Sequence, residues 1–131
     1  MKSVNYESKY KDTEHWVKRD GGYFQIGITD FTQKVFGNVV LVDLPVIGTY
    51  LKTDEKYADI ESDKTVSELF MPLSGTVAAI NETIIEHPEK INEQPYESWL
   101  IKIEISNLEE YESLDTAETY AESIHLFFNK K

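Results

Sequence analysis

Among the side chains able to do chemistry, Lys64 has the most distinctive setting. It sits in Glu61-Ser62-Asp63-Lys64-Thr65-Val66, a tight turn between two strand-like runs. A second turn follows in Phe70-Met71-Pro72-Leu73-Ser74-Gly75-Thr76. Short polar residues such as Ser62 and Asp63 suit a turn tip, because their side chains bond to nearby backbone groups. A lysine held there keeps its amine in water and its backbone fixed. An enzyme that must attach a group to one lysine and ignore the others needs that arrangement. Taken alone, the turn reads more simply as a hairpin with a solvated lysine.

The other reactive residues form no constellation. His15, His87 and His125 are far apart and lack the spacings of a zinc site, so no metal is expected. With no cysteine in the chain, disulfides, thiolate sites and cysteine nucleophiles are excluded. A nucleophile elbow, a phosphate loop and a dinucleotide fingerprint are all missing. The 24 carboxylates are too many to single out an acid and a base. The chain reads as a carrier or binding module, not as an enzyme.

Composition narrows the partners. At 131 residues, 40% hydrophobic and 28% charged, the chain is expected to form a single domain over 1–131, with a core from about 10 to 128. A net charge of −11, without a basic patch, makes nucleic acid and anionic membranes poor partners. The apolar runs are too short to span a bilayer, and Met1 to Tyr6 has no signal-peptide stretch, so a cytoplasmic protein is expected.

The elements that must position Lys64 read as mostly β. His15–Arg19 and Tyr23–Ile28 flank Asp20-Gly21-Gly22 as a hairpin. Asp30 and Gln33 give a cap and capping-box signature for a short helix carrying Phe31 and Val35, ended by Gly37 in the left-handed conformation. Val39 to Leu44 is almost continuously apolar, which predicts a strand covered on both faces. Pro45-Val46-Ile47-Gly48-Thr49 recurs as Pro72-Leu73-Ser74-Gly75-Thr76, 27 positions later (72 − 45), and the same register sets Val39 against Val66 and Gly37 against Lys64. Such a repeat predicts a pseudo-twofold sandwich. Asn81 caps a short helix over Glu82–Glu86, stopped before Pro88. Trp99, Ile101, Ile103 and Ile105 alternate along one face of a strand. Asp115 and Glu118 start a final helix with Ala117, Tyr120, Ala121, Ile124, Phe127 and Phe128 on its apolar stripe.

From about Tyr10 to Phe127 these segments resemble the glycine cleavage system H protein family, which are lipoyl carriers. The resemblance is carried by His15-Trp16-Val17, Gly27-Ile28-Thr29-Asp30-Phe31, Gly37-Asn38-Val39-Val40, Leu44-Pro45, Glu61-Ser62-x-Lys64 and Pro72-Leu73-Ser74-Gly75. Asn81-Glu82, Ile91-Asn92-Glu93 and Pro95-Tyr96 with Trp99-Leu100-Ile101-Lys102-Ile103 extend it. It implies a barrel-sandwich hybrid of the lipoyl/biotinyl-domain type, with short helices and a C-terminal helix. It also implies lipoic acid in amide linkage to Lys64, with Glu61 and Asp63 recognised by the lipoylating enzyme. The implied partners are a pyridoxal-phosphate glycine decarboxylase, a tetrahydrofolate-dependent aminomethyltransferase and dihydrolipoamide dehydrogenase, between which a monomeric carrier shuttles an aminomethyl group. A lipoate ligase, or an octanoyltransferase with lipoyl synthase, would load the arm.

Three departures bear on the cargo. The family's His-Glu-Trp is here Glu14-His15-Trp16. The cleft that shelters the loaded amine is then sought among Thr13, Glu14, His15 and Glu68. Strand alternation turns Glu14 to the opposite face and leaves His15 where a cation would be held, unless a register shift restores the glutamate. Asp63 stands where the family commonly has valine, and Asp-Lys is similar to the lipoyl domains of 2-oxoacid dehydrogenases. Tyr96-Glu97-Ser98-Trp99 lacks the usual glycine before tryptophan. Alternatives are an H-like lipoyl or acyl carrier serving lipoate relay or 2-oxoacid dehydrogenases, and an unmodified interaction module on the same fold.

Overall fold

The computed structural model describes residues 4–129, with side chains described through residue 125. Its strands are β1 (Lys9–Lys11), β2 (His15–Asp20), β3 (Tyr23–Ile28), β4 (Val39–Asp43), β5 (Tyr50–Leu51), β6 (Lys56–Ser62), β7 (Val66–Phe70), β8 (Gly75–Ile80) and β9 (Ile101–Ile105). The helices are α1 (Asp30–Phe36), α2 (Glu82–Glu86), α3 (Lys90–Glu93), α4 (Leu108–Glu112) and α5 (Ala117–Asn129). Two antiparallel sheets result, one ordered β1-β2-β3-β9-β8-β5 and the other β4-β6-β7. The architecture is mostly β, as expected, and the sheets do not close into a barrel. Among the described residues no helix is long and apolar enough to cross a membrane.

Alternation along the strands builds two apolar clusters. Val17, Ile26, Ile28 and Ile103 meet Val42, Ile60 and Leu69 from the smaller sheet in the central core. Each such side chain, fully buried, contributes about 1.5–3 kcal/mol relative to exposure. Trp16, one position from Val17, points to the other face of the large sheet. There it joins Tyr10, Ala117, Tyr120 and Ile124, so that α5 packs on the outside. Gly27 lies opposite Trp16 in the β2–β3 register, and a Cβ on it would run into the indole ring. The glycine is what lets the tryptophan lie flat on its neighbour strand.

The repeat in the sequence is a repeat in space. β4 and β7 keep the 27-residue offset at both ends (66 − 39 and 70 − 43) and flank β6 on either side. The two Pro-x-x-Gly turns lead into β5 and β8, which pair through Tyr50↔Thr76 and Leu51↔Gly75.

Several local expectations are corrected. Val39–Leu44 is not covered on both faces: Val40 is 52% and Leu41 56% exposed, while Val39 and Val42 are buried. β4 is an edge strand, and a register shift between Val39 and Leu41 turns two successive side chains outward. The cap of α1 is Thr29, whose hydroxyl accepts from Thr32 N, and Asp30 is its first residue, bonded by Gln33. Val35 on that helix is exposed. Thr116 caps α5 by accepting from Thr119 N. Asp115 instead exchanges backbone hydrogen bonds with Tyr10, fastening β1 to the start of that helix. Trp99 precedes β9 and packs against the outer cluster, apart from the Ile101 and Ile103 face. Asn81 caps α2 as expected. The side chains of Phe127 and Phe128 lie outside the described residues.

Candidate functional site

The Lys64 tip is built by Ser62. Its Oγ accepts from Lys64 N at 3.1 Å and from Thr65 N at 3.2 Å, while Ser62 N donates to Thr65 O at 2.8 Å. These bonds satisfy the donors that a bare turn would leave to solvent. Lys64 is exposed, and among the described residues its ammonium makes no ion pair or hydrogen bond. Glu61, at the end of β6, is also exposed.

Asp63 does not point to solvent as a free recognition carboxylate. Its Oδ1 accepts from Asn38 N at 3.2 Å and its Oδ2 from Asn38 Nδ2 at 3.1 Å. Asp63 N in turn donates to Asn38 O at 2.9 Å. The Lys64 tip is thereby tied to the turn that the repeat sets opposite it. Gly37, within that turn, has φ 87° and ψ −160°. This is a region open to glycine, and it differs from the left-handed helical conformation expected of a simple cap. A Cβ at position 37 would stand 2.8 Å from Asp63 Oδ1 and 3.2 Å from Cδ and Cε of Lys64. Gly37 is a cradle for the lysine stem. Asn92, on α3, holds the cradle from behind. Its Nδ2 donates to Gly37 O and to Gln33 Oε1, both at 2.8 Å, and its Oδ1 accepts from Val39 N at 2.9 Å.

Below the tip, β7 borders an open groove of about 620 Å³ lined by Glu14, Phe36, Asp59, Val66, Ser67, Glu68 and Phe70. Three carboxylates beside Phe36, Val66 and Phe70 suit a cation with an aliphatic stem. Lys56 Nζ sits 3.0 Å from Asp59 Oδ2 and 3.5 Å from Glu68 Oε2. The Asp59 hydrogen bond, with Glu68 adding, raises the ammonium above its ordinary pKa. Among the described residues, Glu14 is the one groove carboxylate without a lysine or arginine partner.

Of the two orientations the sequence left open for Glu14 and His15, the structure takes the one that restores the glutamate to the groove, not the one that alternation alone predicts. Glu14 lines the groove, and His15 is 1% exposed, packed behind it. Alternation did not apply to Glu14, because it belongs to the Asp12-Thr13-Glu14 turn between β1 and β2, where Asp12 adopts φ 53°. His15 opens β2 on the core face and meets Tyr57, with Nε2 2.7 Å from the phenol oxygen. Thr13 is absent from the groove lining, and its carbonyl accepts from Thr29 and Thr32 hydroxyls. Glu68 lines the groove.

Sequence reading missed Asn38, Asn92, Asp59, Lys56 and Tyr57. Asp59 had a visible signal, since it stands two positions before Glu61 on one strand and so shares its face. The asparagines had none beyond their place in Gly37-Asn38-Val39-Val40 and Ile91-Asn92-Glu93, two of the segments that carry the family resemblance. Among the described residues no cluster of three or more His, Asp or Glu comes together as a metal site.

Known proteins are similar to this chain over most of its length. A family model described as Glycine cleavage H-protein matches residues 8–126. The glycine cleavage system H protein of Bacillus cytotoxicus is 46% identical over 121 residues, covering 92% of this chain and 95% of the relative. That of Bacillus cereus is 45% identical over the same shares. A crystal structure of a glycine cleavage system H protein from Mycobacterium marinum superposes with a TM-score of 0.83 at 28% identity, covering 94% of this chain and all of that one. The chain therefore belongs to the glycine cleavage H-protein family.

Proposed function

We propose that this chain is the lipoyl-bearing carrier of a glycine cleavage system, with Lys64 the attachment residue. The observation that carries the reading is the exposed Lys64 ammonium, unpaired among the described residues, on a turn clamped by Asp63 and Asn38, its stem lying over Gly37. A fixed backbone with a free amine is what a modifying enzyme can address, and the cradle has no room for a side chain that would crowd the lysine. When attached, lipoic acid supplies a dithiol–disulfide pair able to accept and release a one-carbon amine. The chain itself supplies the tether point, which raises the effective concentration of the group at successive active sites. It also supplies the groove, where the carboxylates of Glu14, Asp59 and Glu68 beside Phe36, Val66 and Phe70 suit an ammonium on an apolar stem. Chemistry is left to the partners, and the carrier is non-catalytic.

In this reading, 1–131 is one monomeric carrier unit working in the cytoplasm. Its partners are the glycine decarboxylase, the aminomethyltransferase and dihydrolipoamide dehydrogenase. A lipoate ligase, or an octanoyltransferase with lipoyl synthase, loads it. Glu61 is the acidic residue those loading enzymes meet, while Asp63 acts by shaping the tip. The Asn38 clamp gives Asp63 a reason to be present that does not call on 2-oxoacid dehydrogenases.

Intact mass of chain produced in a lipoylating host is the test. A lipoyl adduct in the wild type and none in Lys64→Arg is expected, because arginine keeps the charge but cannot be acylated in the same way. An unmodified wild-type chain with lipoate in excess refutes the carrier reading. Lipoylated chain that supports no glycine–bicarbonate exchange with the decarboxylase refutes the assignment to glycine cleavage.

A further inference from the structure

A line of polar groups leads inward from the groove wall. Glu14 Oε1 is 3.3 Å from His15 Nδ1, and His15 Nε2 is 2.7 Å from the Tyr57 hydroxyl. His15 and Tyr57 are 1% and 5% exposed, buried behind the groove wall. Burial, with the Glu14 charge adding to it, holds the Tyr57 phenol well above its ordinary pKa, and the hydroxyl keeps its proton. Its hydrogen-bonding neighbour among the described residues is His15 Nε2. The phenol can donate to Nε2 or accept from it, whereas a carboxylate only accepts. The one neutral ring form that bonds on both sides therefore carries its proton on Nδ1, facing Glu14, and accepts the Tyr57 hydroxyl at Nε2.

We propose that Tyr57 and His15 are positioning residues for the groove. Tyr57 fixes His15 as the neutral Nδ1–H tautomer, and that N–H holds the Glu14 carboxylate at the groove wall, ionised and ready for an ammonium ion. Neutrality is the essential point. An imidazolium would cancel the Glu14 charge, whereas a neutral N–H orients the carboxylate and leaves its full charge for the incoming cation. Asp59 and Glu68 already share Lys56, so Glu14 is the carboxylate with charge to offer. The inference rests on reading the groove as the shelter for a cargo amine, but its first test does not.

That test is ¹⁵N NMR of the imidazoles in the unloaded full chain near neutral pH. His15 is expected to show a protonated Nδ1 and a bare Nε2, and Tyr57→Phe should move the proton toward Nε2. A wild-type signal from Nε2–H or from imidazolium overturns the proposal. The second test follows retention of the amine cargo on lipoylated chain. Tyr57→Phe and His15→Leu should each shorten it about fivefold, the loss of one modest polar contact. His15→Asn, which can place an amide N–H near the Nδ1 position, should recover most of it. In a Glu14→Gln background Tyr57→Phe should add nothing, and an equal loss there would overturn the positioning role. If the wild type takes up no lipoyl group, the carrier reading fails, and the NMR result alone decides on the array.

Discussion

Gly37→Ala should disturb the Lys64 tip without touching it directly. The backbone at position 37 has φ 87° and ψ −160°, and a non-glycine residue there costs about 1–3 kcal/mol. The new Cβ would also stand 2.8 Å from Asp63 Oδ1, which must withdraw and lose its bonds to Asn38. Those bonds are solvent-exposed, so each falls at the low end of about 0.5–1.5 kcal/mol. Together the substitution should lower unfolding free energy by about 2–4 kcal/mol, read as a lower urea midpoint with an unchanged slope. The cycle with Asp63→Ala separates the two contributions. Asp63→Ala should cost about 1 kcal/mol in the wild type and close to nothing in Gly37→Ala, since the clamp is already open. The folded fraction of Gly37→Ala should also be lipoylated more slowly. A loss below about 0.5 kcal/mol, or full additivity with Asp63→Ala, would refute the account of Gly37 as a cradle.

Other substitutions probe the rest of the frame. Gly27→Ala should destabilise by about 1–3 kcal/mol or more, because the methyl meets the fully buried Trp16 ring; thermal melting with tryptophan fluorescence reports it directly. Lys56→Gln should leave the melting temperature almost unchanged while lengthening retention of the amine cargo, since Asp59 and Glu68 lose their resident cation; faster loss would show that Lys56 orders the groove instead. Stability should fall as pH rises beyond about 10, the unfolded phenol range. Burial pushes Tyr10 up to about 12 and raises Tyr57, Tyr96 and Tyr120 as well. The unfolded chain therefore releases those protons first, and each phenol that ionises only on unfolding steepens the decline by up to roughly 1.4 kcal/mol per pH unit. Urea midpoints between pH 9 and 11.5 test this, and a flat profile would contradict it.

The fold was legible wherever a single periodic rule governed a segment. The β2–β3 hairpin, the Asn81 cap and the offset of β4 from β7 follow from alternation, cap chemistry and repetition. The rules failed at their borders. Val40 and Leu41 look like core residues until the bulge in an edge strand turns both outward. Glu14 and His15 are neighbours, so alternation assigns them to opposite faces, but Glu14 belongs to a turn and is released from that rule. At the candidate site the turn that carries Lys64 was legible, because its chemistry is local. Asn38, Asn92 and Tyr57 were not, because they act through contacts 25 to 59 residues away in the chain. No window of sequence contains both partners.

The contact between the two equivalent tips also fixes stoichiometry. Position 37 corresponds to Lys64 in the repeat, yet the lysine stem fills the space where a side chain at 37 would go. Two loaded tips would therefore collide. The duplication can display a single arm, and its twin must stay bare to make room. On the proposed carrier reading, each visit to an enzyme then delivers one equivalent of cargo.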